Sequence, residues 1–95
     1  MRRAGRTDGL AEIMVRRLTV EEAMARVDGF LDRSFREGRG RVRVIHGKGT
    51  GTLRKAVQDQ LARHPLVAGF ALAEAWQGGL GATMVELHPI HADSY

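Results

Sequence analysis

The sequence contains no cysteine, only two prolines and few aromatic residues, which make up 5% of the chain. Without cysteine the chain cannot form a disulfide bond or a thiolate zinc site, and nothing points to an oxidising compartment. Its apolar runs are far shorter than the roughly 20 residues that a membrane-spanning helix needs. These absences exclude a disulfide-rich secreted protein and a membrane span, so we expect a cytoplasmic protein with no membrane partner.

The rest of the composition is that of a folded globular domain. The chain has 95 residues, of which 43% are hydrophobic and 27% charged. That length supports one core but is too short for a large enclosed substrate cavity. We predict one domain over residues 12–88, preceded by a flexible basic lead-in over residues 1–11 and followed by a C-terminal tail over residues 89–95. A functional site should therefore lie on the surface of this domain.

The first half of the domain shows a strand followed by a helix. A short, mostly apolar segment over residues 12–15 predicts a buried strand. Thr19 and Glu22 have the spacing of a capping box, and apolar residues then recur at helical intervals. Gly38 and Gly40 predict the end of this helix.

The second half predicts a strand, a helix and two more strands. Residues 41–45 alternate polar and apolar side chains, and Thr52 is expected to cap a helix that ends at His64, just before a proline. Apolar segments over residues 67–75 and 82–87 are joined by a glycine-rich, hairpin-like loop. Strands connected by helices usually run parallel, so the predicted fold is a two-layer α/β (α+β) sandwich. Its four-stranded mixed sheet carries two helices in the order β-α-β-α-β-β.

Positive charge gathers around the second predicted strand and the loop after it. The formal net charge is +4. Residues 38–58 contain no acidic side chain and six basic ones: Arg39, Arg41, Arg43, Lys48, Arg54 and Lys55. Guanidinium groups fit phosphate oxygens well, although such a run is also compatible with an ordinary solvated face.

A glycine-rich loop lies between this strand and the second helix. Its residues are His46, Gly47, Lys48, Gly49, Thr50 and Gly51. A loop of this kind presents backbone N–H groups at the positive end of the helix dipole, where a phosphate can bind. The spacing matches neither a P-loop nor a dinucleotide-binding motif, so a flexible connection is the alternative.

Four histidines are candidates for proton transfer or metal binding. His46 is expected to be exposed beside the loop, where an ordinary pKa of about 6.5 would let it act as a general acid or base, or bind a phosphate. His64 is interpreted as a helix-end cap. His88 and His91 lie in the tail without further ligands nearby, so no metal site is predicted.

Several segments resemble the Smr (small MutS-related) domain family. The run over residues 44–57 is similar to the HGxGxG loop and second helix of the family, and residues 18–23, 64–67 and 83–87 are similar to its other elements. The resemblance covers about residues 12–87. It is strongest to the Smr domains at the C-terminus of recombination-suppressing MutS paralogues.

This resemblance implies a fold similar to the C-terminal domain of translation initiation factor three. It also implies nucleic-acid binding, to DNA more than RNA, and a nicking or structure-directed endonuclease activity linked to DNA repair and recombination control. The ATPase part of a larger MutS-like chain is an implied partner. A divalent cation, Mg²⁺ or Mn²⁺, is compatible with this activity but no ligand cluster requires it. The alternative is a non-catalytic nucleic-acid-binding module, including a ribosome-associated one.

The chain departs from the family in its first-strand motif, LDLRG or LDLHG. Met14 stands at the position of the aspartate and Arg17 at that of the glycine, whereas Arg16 matches the motif. Loss of the aspartate favours the non-catalytic alternative. Trp76 is a candidate for stacking on a base, or else a lid on the sheet edge.

The candidate site residues form two groups. The catalytic candidates are His46, Glu12 and Glu86, and for the two glutamates a salt bridge to an arginine is the alternative role. The candidates for contacting the nucleic-acid backbone, besides the glycine-rich loop, are Arg16, Arg17, Arg41, Arg43, Arg54 and Lys55.

Overall fold

The computed structural model describes residues 9–77 and 79–90. Its main elements follow the predicted order: β1 (Ala11–Met14), α1 (Val20–Arg36), β2 (Arg41–Ile45), α2 (Thr52–Arg63), β3 (Val67–Leu72) and β4 (Ala82–Leu87). Most of the predicted lead-in and tail, including His91, lies outside the described residues. None of the helices in the described ranges is long and apolar enough to cross a bilayer.

The start of α1 is the predicted capping box. Thr19 Oγ1 accepts a hydrogen bond from the backbone N–H of Glu22 at 3.1 Å, and Glu22 Oε1 accepts one from the backbone N–H of Thr19 at 3.0 Å. Two of the free N–H groups of the first helical turn are thereby satisfied. The sequence prediction for this helix start is confirmed.

The start of α2 differs from the prediction. Gly51, not Thr52, is the N-cap residue, and Thr52 is the first helical residue. Gly51 has a φ of +89°, in the left-handed region where a residue with a Cβ is strained. The loop reaches the helix through this glycine, so the cap carries no side chain.

The sheet has the strand order β1-β2-β4-β3. β1 and β2 are parallel, whereas β4 is antiparallel to both of its neighbours. The four-stranded mixed sheet and the two helices confirm the predicted fold. The third strand is shorter than predicted, because two short 3-10 helices, Ala75–Gln77 and Gly79–Gly81, form most of the connection to β4.

The main core lies between the sheet and the helices. Alternate residues of the central strands, Val42, Val44 and Val85, are fully buried there. They pack with fully or almost fully buried side chains of the helices: Ala23, Val27, Leu31, Val57 and Leu61. This packing fixes the C-terminal end of β2 beside the N-terminus of α2, and the glycine-rich loop spans the two.

Candidate nucleic-acid interface

A cleft of about 390 Å³ opens where β1 and β2 end and α2 begins. Arg16 and Arg17, which follow β1, form one wall, and residues 46–54 form the other. Four of the lining residues are basic, namely Arg16, Arg17, Lys48 and Arg54. No acidic side chain is among these lining residues, so the cleft favours an anion.

The N-terminus of α2 adds partial positive charge to the cleft. Its N-cap, Gly51, makes no side-chain capping hydrogen bond, and the first helical turn contains no acidic residue. The N–H of Thr52 makes a long hydrogen bond of 3.4 Å to Oγ1 of Thr50, and the N–H groups of this first turn carry the positive end of the helix dipole. The arrangement can therefore bind a phosphate through backbone N–H groups as well as through cationic side chains.

Two glycines of the loop make room for arginine side chains. A Cβ atom at Gly47 would lie 3.3 Å from Cδ of Arg16, and one at Gly51 would lie 2.9 Å from Nη2 of Arg54. Any larger residue at either position would displace an arginine. The glycines thus let Arg16 and Arg54 lie directly against the two ends of the loop.

His46 is buried, with an exposed fraction of 3%, so the prediction that it faces solvent is wrong. Its Nε2 lies 2.8 Å from Oγ1 of Thr83 on β4, and its Nδ1 lies 3.0 Å from the carbonyl oxygen of Gly47. Burial lowers the pKa of His46, and the nearby Arg54 lowers it further against the opposing effect of the Gly47 carbonyl. The ring is therefore neutral at physiological pH.

The partners of His46 define its tautomer. A carbonyl oxygen only accepts, so Nδ1 carries the proton and donates to Gly47, while Nε2 accepts from the Thr83 hydroxyl. Nε2 of Gln58 on α2 lies 3.5 Å from the same Thr83 oxygen. We call this chain from Gln58 through Thr83 and His46 to Gly47 the histidine relay.

The histidine relay orients the loop backbone. It holds the Gly47 carbonyl toward the buried ring, and in a trans peptide the next N–H, that of Lys48, points the opposite way. The backbone N–H groups of His46 and Gly47 both donate to the Gly81 carbonyl at 2.9 Å, which ties the loop to the start of β4. His46 thus acts as a structural support of the cleft.

Thr83 is a site residue that sequence reasoning missed. It is fully buried in β4 and lies opposite Val44 in the sheet register. The available signal was a single hydroxyl within the apolar segment over residues 82–87. A buried polar group needs a partner, so this hydroxyl was a candidate for a hydrogen bond to another element.

The two glutamates predicted as catalytic candidates lie outside the cleft. Oε1 of Glu12 lies 2.8 Å from Nε of Arg43, and Oε2 of Glu86 lies 3.2 Å from Nη2 of Arg41. The alternative role, a salt bridge to an arginine, is confirmed for both. Arg41 starts β2 and His46 follows its end, roughly 17 Å away along a strand, so Glu86 cannot reach His46.

Some of the predicted basic residues line the cleft, and three of them do not. The side chain of Arg43 is fully buried against Glu12, so the prediction that it contacts a nucleic-acid backbone is wrong. Arg41 is exposed but lies at the far end of β2. Lys55 is exposed next to Arg54 but does not line the cleft. Its Nζ lies 3.4 Å from Oδ2 of Asp59.

His64 and His88 are the other two histidines within the described residues. His64 caps the end of α2, as predicted, and its Nε2 lies 2.9 Å from Oδ1 of Asp28 on α1. His88 is exposed. Within residues 9–77 and 79–90, no three His, Cys, Asp or Glu residues are grouped so that they could hold a metal ion.

The two residues that depart from the first-strand motif, Met14 and Arg17, have different surroundings. Met14 is half exposed and is not among the residues lining the cleft. Arg17 has a φ of +70° and is the single non-glycine residue with positive φ in the described part of the chain. An arginine therefore occupies a backbone conformation that favours glycine, at a cost of about 1–2 kcal/mol.

Known proteins resemble this chain in sequence. The Smr domain family matches residues 13–88. The chain is 55% identical over 76 residues to endonuclease MutS2 of Thermomicrobium roseum and 46% identical over 77 residues to endonuclease MutS2 of Clostridium beijerinckii. These alignments cover 80% and 81% of this chain. They cover 10% of each relative, so the chain spans about a tenth of their length.

Solved structures resemble it in fold. The Smr domain of Thermus thermophilus MutS2 has a TM-score of 0.82 and 42% identity, covering 84% of this chain and 100% of that one. YdaL, a stand-alone small MutS-related protein from Escherichia coli, has a TM-score of 0.77 and 28% identity, covering 92% of this chain and 80% of that one. The same fold thus occurs both within a longer protein and alone.

The backbone strain at Arg17 predicts that Arg17→Gly stabilises the domain. We expect the free energy of unfolding in urea to rise by about 1 kcal/mol, because glycine adopts positive φ without steric cost. Arg17→Ala is the matched control, since it removes the same side chain but keeps the Cβ. A glycine variant no more stable than the alanine variant would contradict the prediction.

Burial of His46 predicts a loss of stability in mild acid. Because its pKa is lowered in the folded state, the unfolded chain binds a proton more readily below about pH 6.5. The contribution of neutral His46 is complete above that pH. It is lost as the pH falls through the lowered pKa, by up to about 1.4 kcal/mol per pH unit.

Urea unfolding of the wild type and of His46→Gln between about pH 5 and pH 8 measures this effect. The variant should be less stable at neutral pH but should depend less on pH in the acid range. The other three histidines are present in both proteins, so their contributions cancel. Equal pH dependence in the two proteins would show that His46 does not titrate with unfolding.

Proposed function

Because this chain belongs to the Smr domain family, we propose that it binds DNA through the basic cleft and that a phosphodiester of the bound strand is nicked there. The observation that carries the proposal is the cleft itself. Four cationic side chains and a helix N-terminus without acidic residues surround a space with no acidic side chain among its lining residues. A phosphodiester is the anion that such a site fits in a nucleic acid.

The geometry favours binding that depends little on base sequence. Arg16 and Arg54 lie at the two ends of the glycine-rich loop, and Lys48 lies between them. Guanidinium groups, an ammonium group and backbone N–H groups all contact phosphate oxygens without reading bases. The main contribution to affinity should therefore be electrostatic.

The relatives support the choice of reaction and of partner. Those reported above are named endonuclease MutS2, which supports phosphodiester cleavage. The resemblance to domains of recombination-suppressing MutS paralogues favours DNA as the substrate and a role in repair and recombination control. Because the chain spans about a tenth of these relatives, we also propose that it works with the ATPase part of a MutS-like protein.

The arginines and His46 have different roles in the proposed cleavage. Hydrolysis forms a bond from a water oxygen to phosphorus and breaks the bond from phosphorus to the leaving sugar oxygen, which gains a proton as the water loses one. Negative charge increases on the phosphate oxygens in the transition state. Arg16 and Arg54 stabilise that charge. His46 is a positioning residue that acts through the loop backbone, since both ring nitrogens already have partners.

A second candidate is a module that binds DNA without cutting it. Two observations favour it, namely Met14 at the position of the motif aspartate and the lack of a carboxylate among the cleft-lining residues. A carboxylate is a common general base for activating water. The two candidates predict the same binding and differ in nicking.

The binding proposal predicts different effects of two neighbouring substitutions. Arg54→Ala should weaken binding to duplex DNA and reduce the log–log salt slope by about 0.9, the contribution of one phosphate contact. Lys55→Ala is the matched control, because it removes the same charge from a residue outside the cleft. Fluorescence anisotropy of a labelled duplex at several salt concentrations measures both slopes.

Equal effects of the two substitutions would contradict a specific role for the cleft. They would show that binding follows net charge alone. A wild-type slope near zero would remove the electrostatic proposal altogether. Repeating the titration with an RNA duplex of the same sequence tests the choice of DNA.

The nicking proposal predicts that the purified domain converts supercoiled plasmid to open circles. Arg16→Ala should slow this conversion by about a hundredfold, because it removes a group that stabilises transition-state charge. Glu86→Gln, at the far end of the sheet, is the matched control and should not change the rate. Assays with and without Mg²⁺ or Mn²⁺ test metal dependence.

The other outcomes have defined meanings. Binding without nicking under all these conditions would favour the non-catalytic candidate, whereas equal nicking by wild type and Arg16→Ala would indicate a contaminating nuclease. His46→Ala distinguishes its two roles. A positioning role predicts that affinity and nicking fall together, whereas proton transfer predicts a slower rate at nearly unchanged affinity.

A further inference from the structure

The connection between β3 and β4 exposes two large apolar side chains. Trp76, in the first short 3-10 helix, is 69% exposed, and Leu80, in the second, is 56% exposed. The role of Trp76 as a lid on the sheet edge does not agree with this exposure. The rest of the structure leaves both side chains available for contact with a ligand.

This connection is attached directly to the proposed phosphate site. The Gly81 carbonyl, next to Leu80, accepts hydrogen bonds from the backbone N–H groups of His46 and Gly47. A Cβ atom at Gly81 would lie 3.5 Å from Cγ of Lys48. The cleft and the exposed apolar side chains thus border the same short segment of chain.

The separation matches a short piece of a nucleic-acid strand. Gly81 lies five positions after Trp76, so their Cα atoms lie within about 17 Å. The connection is also folded back on itself, since the backbone N–H of Gly79 donates to the Glu74 carbonyl at 2.9 Å. A stacked strand rises 3.4 Å per nucleotide, so about five nucleotides cover the upper limit of this distance.

We propose that Trp76, flanked by Leu80, stacks on an unpaired base of the strand whose phosphates lie in the basic cleft. The proposal rests on the proposed function and deepens it by naming the substrate class. Within a duplex each base face is covered by its neighbours, so a protein ring stacks on an unpaired or end base without the cost of separating two stacked base pairs. The domain should therefore prefer DNA with unpaired nucleotides over continuous duplex.

The charge of the adjoining cleft favours a nucleic acid as the occupant. Lys48 and Arg54 lie in the adjoining cleft, which contains no acidic lining residue. A nucleic acid neutralises these basic side chains through its phosphates and offers flat apolar base faces to an indole ring. A second copy of this basic chain would instead bring like charges together.

Trp76 provides its own probe, because it is the only tryptophan in the chain. Intrinsic fluorescence is followed while three ligands of equal length are added: a single strand, an abasic strand with the same phosphates, and a duplex whose two ends are closed by abasic linkers. Anisotropy of labelled ligands reports binding separately. The single strand should quench the tryptophan, and the abasic strand and the duplex should bind with little quenching.

Variants test the same contact by affinity. Trp76→Ala should lower the ratio of single-strand to duplex affinity by at least about fivefold, and Trp76→Phe should restore most of it because an aromatic ring remains. Ile90→Ala is the matched control, since Ile90 is another exposed apolar residue, at the opposite end of β4. It should not change the ratio.

Each contrary result identifies what has failed. Binding of all three ligands without quenching, or equal quenching by the abasic strand, would overturn base stacking and leave the proposed function intact. Absence of binding to any ligand would overturn the proposed function together with this inference. A change in fluorescence on dilution without DNA that is lost in Leu80→Ala would show instead that this surface joins two copies of the chain.

Discussion

The buried histidine at the end of β2 is the constraint on which the site depends. His46 contacts Thr83 on β4 and the Gly47 carbonyl, and Thr83 is also within reach of Gln58 on α2. One neutral ring therefore connects the sheet, the second helix and the glycine-rich loop. Protonation would reverse the Thr83 hydroxyl from donor to acceptor and would place a positive charge in a buried position, which is the change that burial disfavours. The neutral ring is therefore the form that this buried position favours.

The cationic cleft follows from that fixed loop. Glycine at positions 47 and 51 leaves space that Arg16 and Arg54 fill, so both arginines reach the anion site from opposite ends. The glycines serve the protein's own packing first, by allowing positive φ and close arginine contacts. The proposed phosphate binding uses N–H groups and guanidinium groups that this packing has already oriented, which lowers the entropy lost on binding.

Arg17 shows where stability and the proposed function conflict in this domain. Its backbone adopts positive φ, which glycine would adopt without strain, yet the position carries a guanidinium group that lines the cleft. Strained residues that persist at a ligand site are expected when the side chain contributes to binding. Relative to the family motif, this chain has an additional cation and a strained backbone at Arg17. It also has Met14 in place of an acidic residue near the same end of β1.

Local patterns in the sequence determined the fold, because capping, periodicity and turn formation depend on residues close together in the chain. The capping box of Thr19 and Glu22 and the alternation over residues 41–45 predicted their elements correctly, and the glycine-rich loop indicated where an anion could bind. Tertiary structure decided which side chains face that loop. The same alternation placed Arg43 on a face expected to be solvated, but β1 brings Glu12 against it and the pair is removed from the cleft. His46 was expected at the surface, but Thr83, 37 residues further along the chain, gives its ring a buried partner. Burial and charge pairing depend on segments distant in sequence, which only the packed sheet brings together.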